Sequence, residues 1–264
     1  MKKILILSLA AASFLNAEIL VYGPGGPAPV LKELALKFEE KTKEKVIVTA
    51  GPTPAWIDKA KEKVIVTAGP TPAWIDKAKE NADLIFSGNT SMMDDFAKKI
   101  PSLSLENLSV LNVRPSGIIV RPNNPKNIKN FEDILKDGIN VMVVDGAGQV
   151  GLYEDMALKS AKRENLVKLR KNIKIYAKNS KAAVDEWNNN PNIDALIIWS
   201  HWAKALGDDK ALFIKDKNAV IYRAAEIAPT KKGLENKKAL EFVDFIKSKE
   251  AQKVWKKYTW KEVK

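Results

Sequence analysis

An alternation of strand-like and helix-like segments constrains the fold of this chain more than any other feature. The apolar run EILVYG is followed by the turn-rich PGGPAP and by a segment in which Val30, Leu31, Leu34, Ala35 and Phe38 share one helical face. Next come KVIVTAG, predicted as a strand, PTPAWIDKAKE, predicted as a loop entering a helix, and ADLIFSG, predicted as a third strand. This order is typical of a parallel sheet in an α/β protein.

The pattern begins again in the second half of the chain. Strands are predicted in SGIIV, INVMVV and DALIIW, the second of them followed by a Gly-rich turn and a helix, and NAVIYRAAEIAPT is predicted to be extended. One long amphipathic helix is predicted across NKKALEFVDFIKSKEAQKVWKKY. Two such units predict two α/β lobes with a cleft between them, where ligands bind at the carboxyl ends of the strands.

An internal duplication interrupts the first unit. The 20 residues from Lys43 to Glu62 recur without a change as Lys61 to Glu80. A repeat architecture needs about three or more units, so we interpret the copies, 43–60 and 61–78, as a local tandem insertion. Only one VIVTAG can fill the central strand position, and Gly-Pro-Thr-Pro prevents the excess from forming a continuous helix. We expect the second copy in the sheet, because its helix leads directly into the third strand, and the other copy bulging from the surface.

The first residues and the composition limit the classes of function. MKKILILSLAAASFLNA is typical of a secretory signal peptide cleaved after Ala17, which predicts a periplasmic protein with residues 1–17 removed. The chain has no cysteine and one histidine, His201, which excludes thiolate sites and disfavours zinc and triad chemistry. The net charge of +12 favours small anions or an anionic surface as partners, unless the lysines only solubilise the chain. No nucleic acid partner is expected for an exported protein.

Loops that follow the predicted strands supply a candidate anion site. They run from Gly23 to Ala28, from Gly69 to Trp74 and from Ser87 to Ser91 in the first half. Backbone N–H groups at helix N-termini bind anions, although ordinary turns use the same residue types. GAGQVG, from Gly146 to Gly151, fits the dinucleotide motif but lacks the acidic residue about 20 positions further on. We interpret this loop as a backbone anion clamp in the second lobe.

Tryptophan and arginine side chains are the other candidates. Trp199, His201 and Trp202 lie at the end of a predicted strand, where an indole could stack on a ligand or fill the core. We expect His201 to be structural. Arg121 and Arg223 lie where the chain is predicted to pass between lobes. Either guanidinium could clamp a carboxylate or phosphate, or could form a surface salt bridge.

Five phrases spread over the chain carry a resemblance to a known family: YGPGGPAP, VTAGPTPAWIDKAK with NADLIFSGNTSMMDDF, VRPNNPKNIKNFEDILK, VVDGAGQVGLYEDMA and IAPTKKGLENKKALEFVDFIKSKEAQKVW. They resemble the accessory colonization factor AcfC family, which includes PEB-type major antigenic periplasmic proteins and is similar to molybdate and sulfate receptors. The resemblance implies a bilobal type II periplasmic binding protein, with two doubly wound α/β lobes around a ligand cleft. The lobes are predicted as 18–118 with 224–264, and 119–223.

The resemblance also implies a function. It points to capture of a small anionic solute, an organic or phosphorylated acid such as citrate or phosphoglycerate or an oxyanion, for uptake or sensing. It implies no catalysis, cofactor or metal, an ABC-type permease as partner and a homodimer. An exported surface antigen or adhesin with a vestigial cleft is the alternative. The predicted ligand-binding residues, with Trp199 and Arg223 taken from the side-chain argument, are Gly25, Gly26, Ala28, Thr71, Trp74, Ser87, Gly88, Gly146, Ala147, Gly148, Gln149, Trp199 and Arg223.

Overall fold

A computed structural model describes residues 18–50 and 74–263. The predicted signal peptide, the strand of the second copy and Thr71 lie outside the described residues. No helix in the described part of the chain is long and apolar enough to cross a membrane.

The first lobe begins with the predicted strand and helix alternation. Its elements are β1 (Ile19–Gly23), α1 (Ala28–Thr42), β2 (Val46–Ala50), α2 (Ile75–Asn81), β3 (Leu84–Ser87) and α3 (Thr90–Lys99). The strand β1 pairs in parallel with both β2 and β3, which confirms the predicted parallel sheet. Pro27 precedes the first residue of α1, a position where the fixed φ of proline suits the start of a helix.

The second lobe follows the long strand β4 (Ser109–Val120). Its elements are β5 (Val141–Val144), α4 (Leu152–Leu158), α5 (Arg163–Asn172), β6 (Ile173–Ala177), α6 (Ser180–Asn189), β7 (Ala195–Trp199), α7 (Ser200–Leu206) and β8 (Leu212–Ile214). The strand β9 (Tyr222–Pro229) returns the chain to the first lobe, where it ends with α8 (Lys231–Glu235), α9 (Lys237–Lys247) and α10 (Lys249–Lys257).

Two strands join the lobes. The sheet order in the described residues is β2-β1-β3-β9-β4-β7-β5-β6, with β8 also paired to β4. The first half of β4 pairs with β9, and its second half, from Ser116, pairs with β7 and β8. The predicted lobe boundaries, 118/119 and 223/224, fall inside these two strands and stay a prediction.

Each lobe has an apolar core of its own. In the first, α1, α9 and α10 pack on the sheet, and the Phe38 ring lies 5.4 Å from that of Phe242. In the second, Ile118, Val143 and Ile197 are fully buried between the helices. Burying an aliphatic or aromatic side chain of this size stabilises the fold by about 1.5–3 kcal/mol. A further apolar cluster lies in each lobe. Because the cores of the two lobes are separate, the surface between the lobes is free to form a site.

The final helix is two helices, so the prediction of one continuous helix was wrong. Ser248 lies between α9 and α10 with an extended backbone, at φ −63° and ψ 159°. Its hydroxyl accepts a hydrogen bond from the backbone N–H of Ala251, which caps α10. The break turns α10 so that Trp255 packs into the first core.

The duplicated segment is also used differently from the prediction. The strand beside β1 is Val46–Ala50 of the first copy, whereas the helix α2 comes from the second copy. The reason is local: α1 ends with Lys43 in the left-handed region at φ 65°, and the backbone of Ile19 already bonds to Lys45. The first available strand therefore enters the sheet. In the described residues β2 is an edge strand, not a central one.

We predict that removing one 18-residue period stabilises the protein. Deleting residues 51–68 joins Ala50 to Gly69 and shortens the connection between β2 and Trp74 from 23 residues to five, a common length for a strand-to-helix connection. Because the entropy of closing a connection grows with its length, we expect the free energy of unfolding to rise by about 1 kcal/mol. Urea unfolding of both chains measures it, and a less stable deletion variant would contradict the interpretation as a dispensable insertion.

Candidate functional site

A cavity of about 220 Å³ lies between the lobes. Strand ends of both lobes converge on it, because loops after β1, β3, β5 and β6 all reach this place. Its walls are Pro24, Gly25, Gly26, Pro27, Trp74, Gly88 and Met92 on one side and Gly146, Ala147, Gly148, Gln149, Lys178, Asn179, Ser180, Lys181 and Trp202 on the other, with Arg114.

Arg114 is the principal charged group of the cavity. It lies on β4, only 3% exposed, and forms no ion pair within the described residues. Its Nη2 donates to the backbone oxygen of Gly88 at 3.0 Å and of Gly148 at 3.5 Å. The guanidinium carbon lies 4.6 Å from the ring centre of Trp199 and 5.4 Å from that of Trp260. The Nε atom is buried without a hydrogen-bond partner in this part of the chain.

The electrostatics of Arg114 favour an anionic ligand. Burial, and secondly the nearby Arg223, lower the pKa of Arg114 to about 9, so that it still carries its charge at neutral pH. An unpaired buried charge is unfavourable unless a partner of opposite charge approaches it. The two indoles offset part of this penalty by cation–π attraction. The remaining positive potential is directed into a cavity that an anion can enter.

Glycines let the loop backbones lie directly on the guanidinium. A Cβ atom on Gly26 would lie 2.6 Å from Nη1 of Arg114, and one on Gly88 would lie 2.9 Å from Nη2. Both distances are shorter than van der Waals contact. The two loops of the first lobe can therefore reach Arg114 only without side chains, which is why these positions are glycine.

Hydrogen bonds across the cavity link the two lobes. Between the lobes, the Nδ2 of Asn89 donates to the backbone oxygen of Ala147 at 3.4 Å. Within the second lobe, the Nε1 of Trp199 donates to the backbone oxygen of Gly148 at 2.8 Å. Arg114 bonds to loops of both lobes at once. The GAGQVG loop is thus held against the first lobe through its carbonyl groups.

His201 lies beside Arg114 beneath the first loop. Its ring stacks on Trp260 with 6.0 Å between ring centres, and both of its nitrogens are buried without a partner in the described residues. Burial, and secondly the charge of Arg114, hold the pKa of His201 well below its usual range. The imidazole is therefore neutral at pH 7 and leaves the positive charge of the site to Arg114.

Most of the predicted ligand-binding residues lie together. Those in the cavity wall are Gly25, Gly26, Trp74, Gly88, Gly146, Ala147, Gly148 and Gln149. Four do not line the wall, and Thr71 lies outside the described residues. Ala28 is buried in α1, Ser87 donates from Oγ to Glu226 at 3.5 Å, Trp199 supports Arg114, and Arg223 pairs with Asp155. Ligand contact by any of these residues stays a prediction.

Sequence reasoning missed Arg114 and the loop 178–181. An arginine inside the apolar strand SVLNVRPSGIIV was an available signal, because a buried strand rarely contains an unpaired charge. Arg121, which the sequence offered instead, donates to the carbonyl groups of Trp187, Asn190 and Ile193 and stacks on Trp187. Arg121 thus binds carbonyl groups at and beyond the C-terminal end of α6, and it does not line the cavity. No cluster of acidic or histidine side chains in the described residues has the geometry of a metal site.

The chain belongs to the family of bacterial extracellular solute-binding proteins, which it matches over residues 19–261. Solved structures of bilobal binding proteins share its fold. PEB3 of Campylobacter jejuni, solved with bound L-phospholactate, is 28% identical with a TM-score of 0.77, and the match covers 93% of this chain and 100% of that one. The sulfate-binding protein of Mycobacterium tuberculosis is 18% identical, with a TM-score of 0.72 over 94% and 87% of the two chains.

The periplasmic molybdate-binding protein of Azotobacter vinelandii is 14% identical, with a TM-score of 0.62 over 93% and 100% of the chains. No protein of curated function matches the sequence. The family and these similar structures are binding proteins, and the two less similar ones establish the fold alone.

We predict that two cavity glycines respond differently to the same substitution. Gly26→Ala places a methyl group against Arg114, whereas Gly148→Ala meets no atom within 4 Å. We expect Gly26→Ala to lower the free energy of unfolding by about 1–3 kcal/mol, as overpacking does, and Gly148→Ala to change it by less than about 1 kcal/mol. Urea unfolding measures both. Equal effects would show that Arg114 moves away freely and that the loop does not fix it.

The single histidine predicts a pH dependence of stability. Because the folded-state pKa of His201 is depressed, the unfolded chain takes up a proton near pH 6.5 that the folded chain does not. The stability from the neutral imidazole is full above pH 6.5 and falls below it by about 1.4 kcal/mol per pH unit. His201→Gln should remove this slope between pH 6.5 and 5.5 in urea unfolding. If the stability of the variant depends on pH as strongly as that of the wild type, the pH dependence comes from carboxylates and not from His201.

Proposed function

We propose that this chain is a periplasmic solute-binding protein that captures a small organic or phosphorylated acid in the cavity between its lobes. The observation that carries the proposal is the buried charge of Arg114, which has no acidic partner in the described residues and lies in the cavity wall. A receptor for neutral solutes would have no use for such a charge, because burying it is unfavourable. A bound carboxylate or phosphate would supply the missing partner and accept the guanidinium hydrogen bonds.

The size and the lining of the cavity favour a small acid. A volume of about 220 Å³ suits a molecule of the size of phospholactate, phosphoglycerate or citrate. Beyond Arg114, the backbone of the GAGQVG loop and the exposed Lys178 at the wall offer further donors for a second anionic group. PEB3, the similar protein solved with L-phospholactate, binds a ligand that carries both a carboxylate and a phosphate. These features support an acid with two anionic groups over a simple oxyanion.

The proposal also includes the family group, the signal peptide, the lobe boundaries and the homodimer that were predicted from the sequence. The likeness to PEB3 supports membership of the accessory colonization factor group within the family. Residues 1–17 would act as the signal peptide, and the mature chain would deliver its ligand to an ABC-type permease or a sensor in the periplasm. The two lobes would divide at 118/119 and 223/224, and the chain would form a homodimer.

We predict selective stabilisation by acids and its loss in Arg114→Gln. Phospholactate, 3-phosphoglycerate, citrate and sulfate, with glucose as the neutral control, are added to the mature chain during thermal unfolding. A true ligand at 100 times its dissociation constant adds about 2.7 kcal/mol to the free energy of unfolding. Arg114→Gln should weaken binding roughly a hundredfold, because the ligand loses a desolvated charged partner. Isothermal titration calorimetry measures the two affinities.

Arg170→Gln is the matched control, since it removes the same charge from an exposed pair with Glu154. It should bind as the wild type does. Arg114→Gln should not be less stable than the wild type without ligand, because it removes an unpaired buried charge. If none of the four acids binds, the proposed receptor function is contradicted and an exported antigen with a vestigial cleft is favoured. Acid binding that survives Arg114→Gln would move the site away from this cavity.

A further inference from the structure

A second and larger cavity lies on the other side of Trp260 from Arg114. Its volume is about 810 Å³, and its walls come from both lobes. Leu212 and Phe213 of β8 line it from the second lobe, and Lys256 of α10 with Trp260, Lys261 and Glu262 of the C-terminal segment line it from the first. The volume lies within the range of pockets that hold organic ligands, about 300–1,000 Å³.

The walls of this cavity consist of an apolar surface and of lysine side chains beside it. Leu212 is 48% exposed, and Phe213 and the largely buried Trp260 complete the apolar part of the wall. Lys256 and Lys261 also line the cavity and form no ion pair within residues 18–50 and 74–263. Glu262 and the pair of Lys204 with Asp208 are the other charged groups of the wall.

The positive charge is concentrated on the side of Lys261. The ammonium groups of Lys215 and Lys261 lie 5.6 and 5.8 Å from the ring centre of Tyr222, and contact with Lys215 lowers the pKa of Lys261, which indicates that the two cations are close together. Backbone hydrogen bonds in both directions between Val113 and Lys261 hold the C-terminal segment on β4. Lys261 is thereby fixed at the cavity, and an anion would relieve its repulsion from Lys215.

We propose that this second cavity binds an amphiphilic organic anion, a carboxylate with an extended apolar chain. The chain would lie against Leu212, Phe213 and Trp260, and the carboxylate would meet Lys256 and Lys261. Small hydrophilic acids of the kind proposed for the interlobe cavity would leave these apolar walls in water. The site therefore has a different chemical preference from the cavity at Arg114, and the two are separated by the indole of Trp260.

Calorimetric titration with octanoate tests the proposal, with octan-1-ol and acetate as probes that each lack one half of the molecule. The mature chain should bind one octanoate saturably, and both other probes at least about tenfold more weakly. The double variant Lys256→Gln with Lys261→Gln should lose most of the affinity for octanoate. Lys249→Gln with Lys253→Gln is the matched control: both lysines are exposed, belong to α10 and do not line the cavity. The control should bind octanoate as the wild type does.

Leu212→Glu tests the apolar wall at a half-exposed position that tolerates a polar side chain in the fold. It should abolish octanoate binding and leave binding of phospholactate or another cleft ligand unchanged, which separates this proposal from the first. The proposal would be overturned if octanoate does not bind, or if octan-1-ol binds as tightly as octanoate. It would also be overturned if the affinity for octanoate is unchanged in Lys256→Gln with Lys261→Gln or in Leu212→Glu. A dimer, seen by sedimentation, that buries the cavity and excludes octanoate would overturn it as well, because a second copy of the chain would then be its occupant.

Discussion

The buried charge of Arg114, which has no acidic partner in residues 18–50 and 74–263, determines how the centre of this molecule is built. The guanidinium lies between the indoles of Trp199 and Trp260 and bonds to carbonyl groups of both lobes. Loops that approach it so closely must be glycine at positions 26 and 88. The neighbouring His201 is kept neutral by burial and by the same charge. The glycines of the loops and the protonation of His201 thus follow from one buried cation that no acidic side chain of the described residues neutralises.

Topology explains why this cation lies where both lobes meet. β4 pairs with β9 in its first half and with β7 and β8 in its second, and Arg114 comes just before the change of partner at Ser116. A side chain at that point is within reach of the loops after β3 and β5. Because β4 continues from the first lobe into the second, its backbone holds Arg114 in place while the loops around it supply the rest of the site. A rigid strand is a more accurate support for a binding group than a loop.

Much of the fold could be predicted from the sequence, and part of the site. Alternating apolar runs and amphipathic segments predicted β1, α1, β3 and the GAGQVG turn, because these patterns are local. The break at Ser248 was missed, since KSKE continues the polar side of a helix and only the cap contact reveals the end. Arg114 was missed because its neighbours in space, Trp199, Trp260 and Gly148, are distant in sequence. The apolar strand around Arg114 indicates that this side chain is buried, but its partners in the site depend on tertiary contacts that no local pattern contains.

The division of the duplicated segment follows from the geometry of an edge strand. The first copy supplies β2 and the second supplies Trp74 and α2, so each copy contributes the part that lies next to the rest of the fold. The extra length is added between them, at the carboxyl end of a strand that has one neighbour, β1, in the described sheet. Insertion there leaves the register of β1, β3 and β9 intact. The extra length begins at the carboxyl end of β2, and because β2 is parallel to β1, this is the same edge of the sheet from which the cavity loop after β1 emerges.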